Sequence, residues 1–159
     1  MLYVKGLLVP QTCYIRWIPA PQNIKRIGKI HTWLYLKTNG IIGRRLDGMD
    51  VLLLTTTGHK SGEQRQIPLP YFSLSGRTVV VGSFGGNPKN PAWIANIKKQ
   101  PEVKVQAGAK RWDAKARIAE GTERAEVWAE LIHEFPRYAN YQTLTERLIP
   151  LVLIEPPLG

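Results

Sequence analysis

The chain has 159 residues, a length that fits one domain with a proper hydrophobic core, and its formal net charge is +10. That excess of basic residues implies an anionic partner, such as a nucleic acid, a membrane surface or a polyanionic ligand. The single cysteine, Cys13, excludes an internal disulfide and favours a reducing compartment, so we expect a cytoplasmic protein.

The first 20 residues are apolar but are interrupted by Lys5, Pro10 and Arg16. Their uninterrupted pieces are shorter than the roughly 20 apolar residues of a membrane-spanning helix, and they lack the order of a signal peptide. Interleaved aromatic and basic side chains suit an arm that packs on the domain, or a segment at the inner face of the cell membrane. We therefore divide the chain into an N-terminal arm, 1–20, and one domain, 21–159.

An amphipathic helix is predicted over residues 24–37 from the spacing of its apolar side chains. Asn39-Gly40 is a typical helix-ending signal. His31 lies on the apolar stripe, where a hydrogen-bonded structural histidine is more common than a catalytic one. Residues 41–49 then connect this helix to the first core strand.

A basic turn between two strands is the feature around which the rest is arranged. Residues 51–57 are an apolar run followed by three threonines, which predicts a strand. The turn Gly58-His-Lys-Ser-Gly62 follows, with a glycine at each end. Extended structure resumes over 64–72, where Pro68 and Pro70 indicate an edge or an interrupted ladder.

A glycine-containing loop follows the next strand. Ser75-Gly76 predicts a hairpin turn into a strand over 78–83, and the loop at 83–86 comes next. Asn90 is predicted to cap a helix whose first residue is Pro91. The free amides of that first turn can hold an anion.

The basic turn and the glycine-containing loop together suggest an anion cradle, built by Lys60, Ser61, Arg65 and the loop at 83–86. Short basic turns are common, however, so a hairpin whose cations are merely solvated remains an alternative.

Two alternating strands, 102–107 and 110–119, are predicted after the helix. Thr122 is predicted to cap a further helix whose apolar stripe ends at Phe135. Tyr138 and Tyr141 are placed in a short link.

The chain is predicted to close with a helix over 142–148 and a strand over 151–154. Six strand candidates, with helices near the start, after the third strand and near the end, predict an α+β domain centred on a β-barrel. A Rossmann sheet is disfavoured because the βα alternation and the G-x-G-x-x-G motif are both missing.

Little reactive chemistry is expected from the side chains themselves. The histidines and the cysteine lack metal-ligand spacing, and the carboxylates form no obvious acid–base pair, so we expect no metal site. This composition favours a cofactor that carries out the difficult step.

Four motifs in order, TTTG-x-K-S-G, R-x-x-P-L, VVxxS-x-GG and N-P-x-W, resemble the deazaflavin (coenzyme F420)-dependent nitroreductase and quinone reductase family. Residues 123–150 also resemble the tail of its nitroreductase branch, and the similarity runs from about residue 31 to 156. The resemblance implies a split β-barrel, FMN-binding-like, with flanking helices. It also implies hydride transfer from reduced F420 to a quinone, a nitroaromatic or a similar unsaturated acceptor.

The resemblance also implies roles for individual residues. The basic turn would bind the phosphate and the acidic tail of the cofactor. Pro68 and the 83–86 loop would bind its ring, and Trp93 would pack near the tail or the ring edge. The implied cofactor-binding residues are Lys60, Ser61, Arg65, Pro68, Ser83, Gly85, Gly86 and Trp93.

The implied catalytic residues lie on the acceptor side. Tyr138 and Tyr141 match tyrosines that line the acceptor pocket, with Tyr138 the expected principal donor and Ser83 an alternative route for the proton. Ordinary packing of the two phenol rings is the alternative interpretation. His59 and Phe84 depart from the family pattern, since an arginine and a polar residue are common at these positions.

Two other classes of protein remain open. One is an FMN enzyme of the same barrel type, because a phosphate cradle does not distinguish flavin from deazaflavin. The other is a non-enzymatic basic module that binds an anionic membrane or nucleic acid. We expect no nucleic-acid partner, because the aromatic residues fall on apolar stripes and not among exposed cations. This barrel type often dimerises, so a homodimer is expected.

Overall fold

The computed structural model describes residues 30–156 of the chain. Residues 30–37 within it are helical and are named α1. The remaining elements are β1 (Arg45–Leu46), β2 (Met49–Thr57), β3 (Gln64–Leu74), β4 (Arg77–Val81), a 3-10 turn (Phe84–Gly86), α2 (Ala92–Lys99), β5 (Glu102–Ala107), β6 (Lys110–Ile118), α3 (Gly121–Glu134), α4 (Arg137–Thr143) and β7 (Leu151–Glu155).

Six of these strands close an antiparallel barrel in the order β2-β3-β4-β7-β6-β5, and β5 pairs back onto β2. Closure leaves an open edge only where pairing along a strand is incomplete, as in the first half of β3. The short β1 pairs with the start of β2 outside the closed ring. This arrangement confirms the predicted α+β domain centred on a β-barrel.

Strand β3 changes partner along its length. Residues 64–70 pair with β2, and residues 71–74 pair with β4. Pro68 and Pro70 therefore lie in the half that is paired on one side only, where a missing N–H costs no second ladder bond. This is the edge position, the first of the two alternatives predicted for these prolines.

Successive side chains of β2 alternate between two apolar clusters. Leu52 and Leu54 point into the barrel, where Trp93 and Ile94 of α2 join the same cluster. Val51 and Leu53 point outward and are covered by Tyr35 of α1, which is fully buried. Each fully buried aliphatic side chain contributes about 1.5–3 kcal/mol.

A third cluster joins the barrel to the C-terminal helices. Phe72 and Val79 of the barrel contact Val127 and Leu131 of α3 and Tyr138 of α4. This packing fixes α4 beside the barrel wall.

Both predicted helix caps are wrong. Helix α2 begins at Ala92 with Pro91 at the N-cap, and no side chain caps it. Helix α3 begins at Gly121 with Glu120 at the N-cap, again without a side-chain cap, so Thr122 lies inside the helix. The side chain of Asn90 is bonded elsewhere, as described below.

The predicted position of the last helix is also wrong. Tyr138 and Tyr141 lie within α4, which ends at Thr143, and residues 144–148 form turns and bends. The two tyrosines therefore stand on a helix, not in a link.

His31 is confirmed as a hydrogen-bonded structural residue, since its Nε2 lies 2.7 Å from the carbonyl oxygen of Gly43. The proposed arm at 1–20 and Cys13 lie outside the described residues, as does the first part of the helix predicted over 24–37. Between residues 30 and 156, no helix is both long and apolar enough to cross a bilayer.

Candidate functional site

The basic turn, residues 58–65, is closed by its own main chain. The N–H of Gly58 donates to the carbonyl of Glu63, and the N–H of Gly62 donates to the carbonyl of Gly58, both at 2.8 Å. Gly62 has a φ of +70°, a conformation that favours glycine. Lys60 and Ser61 are exposed at the tip as a result.

Helix α2 anchors this turn through a buried amide. Asn96, 5% exposed, accepts the N–H of His59 at 3.0 Å and donates from Nδ2 to Oγ1 of Thr56 at 3.0 Å. Lys99 adds a bond from Nζ to the carbonyl of His59 at 3.0 Å. His59 therefore fixes the turn to α2, and Lys99 adds a cation beside it.

Arg65 is partly neutralised within the turn. Its guanidinium pairs with the carboxylate of Glu63, and both side chains are more than half exposed. An exposed pair of this kind contributes little to stability and is readily exchanged for another anion. Lys60, Arg65 and Lys99 thus lie on or beside this turn, and the carboxylate of Glu63 pairs with one of them.

The glycine loop, residues 82–90, joins β4 to α2. Phe84, Gly85 and Gly86 all have positive φ, at 48°, 63° and 77°. For phenylalanine this conformation costs about 1–2 kcal/mol. The loop keeps its shape through bonds from the N–H of Gly86 to the carbonyl of Ser83 (3.0 Å) and from the N–H of Asn87 to the carbonyl of Phe84 (3.2 Å).

Gly86 packs directly against the end of α4. A Cβ built at Gly86 would lie 2.8 Å from Cβ of Leu144 and 2.8 Å from the carbonyl oxygen of Tyr141. Only glycine allows this approach. The structure therefore brings the loop next to the helix that carries the two tyrosines, although the sequence pointed to the loop and the tyrosines separately.

Arg147 also contacts this loop, and it was not among the residues predicted from the sequence. Its guanidinium bonds the carbonyls of Gly82, Ser83 and Asn87 and Oδ1 of Asn90. These partners lie 57–65 positions away in sequence, so no local pattern signals them. The bond to Asn90 also explains why that side chain does not cap α2.

The two tyrosines of α4 differ in accessibility. Tyr138 is 5% exposed and packs edge-on against Phe72, with ring centroids 5.5 Å apart. Tyr141 is half-buried, 5.7 Å from Tyr138 between centroids. Burial, followed by the neighbouring Tyr141, raises the pKa of Tyr138 above its ordinary value, so this phenol keeps its proton at neutral pH.

The remaining site candidates lie in different settings. Pro68 is half-buried on β3 and Ser83 is half-buried at the start of the glycine loop. Trp93 is 5% exposed and belongs to the barrel core, which leaves little of its surface for a ligand.

Helix α2 connects the two parts of the candidate site. Its first turn follows the glycine loop, and Ile94 contacts Gly82. Its last turn holds the basic turn through Asn96 and Lys99. The two parts are thus separated by the length of an eight-residue helix, about 12 Å.

A groove of about 520 Å³ lies between β2, β5 and β6 on the barrel wall, next to the basic turn, which contributes Gln64 to its lining. Thr57, Gln64, Lys104 and Asp113 are among the residues that line it. No residue of the glycine loop does. Among residues 30–156, no cluster of His, Cys, Asp or Glu could hold a metal ion.

Comparison with known proteins identifies the family of this chain. The sequence profile described as F420H(2)-dependent quinone reductase matches residues 27–156. An F420H(2)-dependent quinone reductase of Mycobacterium tuberculosis is 34% identical over 144 residues, covering 87% of this chain and 95% of that protein.

Similar solved structures support the fold, and one of them supports the family. One described as an F420-H2 dependent reductase (FDR-A) is 45% identical with a TM-score of 0.59, covering 66% of this chain and 93% of the other. One described as a domain-swapped dimer is 40% identical with a TM-score of 0.63, covering 86% and 100%. The barrel is the split β-barrel expected from the resemblance. The chain therefore belongs to the F420H(2)-dependent quinone reductase family, a family of oxidoreductases whose cofactor is coenzyme F420.

Proposed function

We propose that this chain binds reduced coenzyme F420 along the surface between the basic turn and the glycine loop, and uses it to reduce a quinone. The observation that carries this proposal is the contact of Gly86 with α4. Because of this contact, the loop that we assign to the cofactor ring lies beside the helix whose tyrosines we assign to the acceptor.

The basic turn fits the anionic half of the cofactor. Phosphate and carboxylate groups form their strongest hydrogen bonds with lysine and arginine. Lys60 and Ser61 are exposed at the tip of the turn, and Arg65 can exchange its bond to Glu63 for one to the cofactor. We assign the phosphate and the acidic tail to these three side chains.

The glycine loop fits a flat ring. Gly85 has no side chain and is half-buried, so a flat ligand can approach its main chain closely, whereas Gly86 is buried against α4 and supports the loop from that side. Ser83 and Pro68 are half-buried and complete the proposed ring-binding set. When bound, the reduced deazaflavin supplies a hydride, and the protein's task is to orient the ring and limit the access of water.

The tyrosines of α4 are proposed to orient the acceptor. A phenol can donate a hydrogen bond to a quinone oxygen as negative charge develops on it. Tyr141 is the more accessible of the two, whereas Tyr138 supports it from the buried side. A nitro oxygen accepts the same bond, so nitroaromatics are proposed as further acceptors.

Self-association is proposed as well. A related structure is described as a domain-swapped dimer. In this chain Trp33 and Ile41 are 58% and 81% exposed, which is unusual for large apolar side chains and suits burial against a second copy. Light scattering on the purified protein tests this, and a monomer at all concentrations would contradict it.

Equilibrium titration with F420 and with FMN tests the proposed cofactor. We expect saturable binding of F420 that is at least tenfold tighter than binding of FMN. Tighter binding of FMN, or yellow protein after purification with flavin absorbance, would support the flavin alternative. Binding of neither, with retention on anionic vesicles, would support a non-enzymatic basic module.

A further inference from the structure

The guanidinium of Arg147 bonds the glycine loop at both of its ends. It donates to the carbonyls of Gly82 (3.2 Å) and Ser83 (2.8 Å) on one side. It donates to the carbonyl of Asn87 and to Oδ1 of Asn90, both at 2.8 Å, on the other. Four acceptors on one planar group fix the two ends of the loop relative to each other.

The segment that carries Arg147 is itself held in place. Nε2 of Gln142 donates to the carbonyls of Thr145 (3.2 Å) and Arg147 (2.8 Å), and Oε1 of Gln142 accepts the N–H of Ile149 at 3.0 Å. The backbone that carries Arg147 is therefore held in place, and the hydrogen bonds of its guanidinium restrain the loop.

The charge of Arg147 is not neutralised by a carboxylate. None of the ion pairs found within residues 30–156 involves it, and all four of its acceptors are neutral oxygens. A full positive charge thus lies against the loop. Lysine could not replace this arrangement, because its ammonium lacks the planar fork of five donors.

The loop requires such support. Three consecutive residues, Phe84, Gly85 and Gly86, have positive φ, and one of them is a phenylalanine. A backbone of this kind persists only where its surroundings determine it strongly. In addition to the loop's own main-chain bonds, Arg147 and the α4 contact of Gly86 hold it from outside.

We propose that Arg147 is a positioning residue, which holds the glycine loop in the conformation that receives the cofactor. The part that concerns the cofactor rests on the proposed function, since the loop is the proposed ring-binding surface. The part that concerns the loop can be measured without any cofactor.

Hydrogen–deuterium exchange on the cofactor-free protein, combined with F420 titration, tests the proposal. The variants are Arg147→Met, Arg147→Lys and, as matched control, Arg124→Met. Arg124 also bonds a main-chain carbonyl, that of Ile149, and is likewise half-buried, but it lies outside the loop. For Arg147→Met we expect at least tenfold faster exchange in peptides covering 83–90, unchanged exchange in β7, and at least tenfold weaker F420 binding. Arg147→Lys should recover part of both effects, and Arg124→Met should show neither.

Three results would overturn the proposal. Unchanged exchange at 83–90 in Arg147→Met would mean that the loop holds its shape without the guanidinium. Faster exchange with normal F420 affinity would mean that loop order does not serve binding. Equal acceleration in β7 and in the loop would reduce Arg147 to a general stabiliser. Failure of the unaltered protein to bind F420 would instead contradict the proposed function, and the exchange result at 83–90 would still decide the role of Arg147 in the loop.

Discussion

The side-chain oxygen of Asn96 accepts the main-chain N–H of His59 at 3.0 Å, although the two residues are 37 positions apart. The same oxygen lies 2.9 Å from Nδ1 of His59, which must carry a proton to make this bond. The position of the cations in the basic turn therefore depends on a buried amide in α2.

Replacing Asn96 should destabilise the protein. Asn96→Leu leaves the half-buried N–H of His59 without its partner and removes the donor to the hydroxyl of buried Thr56, and a buried unsatisfied group costs about 1–3 kcal/mol. Urea unfolding should show that loss, while Asn140→Leu at an exposed position of α4 should change the free energy of unfolding by less than about 0.5 kcal/mol. Equal stabilities of the two variants would mean that the Asn96 bonds contribute nothing.

Charge changes in the basic turn should act on cofactor affinity in opposite directions. Lys60→Ala should weaken F420 binding about five- to tenfold, roughly 1–1.4 kcal/mol, because the side chain is exposed and water screens it. Glu63→Gln should leave affinity unchanged or raise it, because it frees Arg65. Both effects should shrink as salt rises. Lys110→Ala, at the far end of β5 and β6, is the control, and an equal loss there would indicate only a general effect of net charge.

Gly86 and Gly76 provide a test of the loop contact with α4. Both have positive φ, at 77° and 71°, but a Cβ at Gly76 meets nothing within 4 Å. Gly76→Ala should cost only the backbone strain of about 1–2 kcal/mol. Gly86→Ala should cost about 1–3 kcal/mol more, because the new methyl displaces Leu144. Thermal unfolding measures the difference, and equal losses would mean that the loop and α4 do not press on each other.

The phenols should differ in their effect on turnover. Tyr141→Phe is expected to slow quinone reduction at least tenfold, roughly 1.4 kcal/mol, without changing F420 affinity. The sequence favoured Tyr138 as the principal donor, but its burial against Phe72 shifts the larger effect to Tyr141. Stopped-flow measurement of quinone reduction by Tyr138→Phe and by Tyr141→Phe compares the two losses. A larger loss for Tyr138→Phe would restore the original order.

The burial of Tyr138 and Tyr35 should make the stability of the protein fall at alkaline pH. Burial raises the pKa of Tyr138 and of Tyr35 above the ordinary value of 10.0, so folding favours the protonated form. This contribution is complete below pH 10 and is lost as pH rises beyond it. Between pH 9 and pH 11, Tyr138→Phe should therefore lose less stability than the unaltered protein, with Tyr35 accounting for part of what remains. Parallel stability curves would contradict the burial argument.

The strands were predictable because their signals are local. Runs such as Val51–Thr57 and the alternation over 102–107 and 110–119 identify strands, and all six barrel strands lie within a few residues of where these patterns place them. Closure of the ring between β2 and β5 is a long-range pairing that no single run contains.

Two of the errors, the cap predicted at Asn90 and the link predicted around the tyrosines, have one physical cause, which is competition from distant partners. Asn90 has the chemistry of a helix cap, but Arg147 takes its side-chain oxygen. Tyr138 and Tyr141 are drawn into α4 by packing against Phe72 and Gly86, and Gln142 holds the following residues in a non-helical path. The family motif identified the turn and the loop, whereas Arg147 and Asn96 emerged only from the fold.

Rapid mixing of the protein, preloaded with reduced F420 under anaerobic conditions, with a soluble quinone tests the central claim most directly. The account predicts that F420 absorbance returns in a single turnover, with one quinone reduced per cofactor, and that Lys60→Ala with Arg65→Ala lowers only the fraction loaded. A loaded protein whose cofactor stays reduced in the presence of quinone would contradict it.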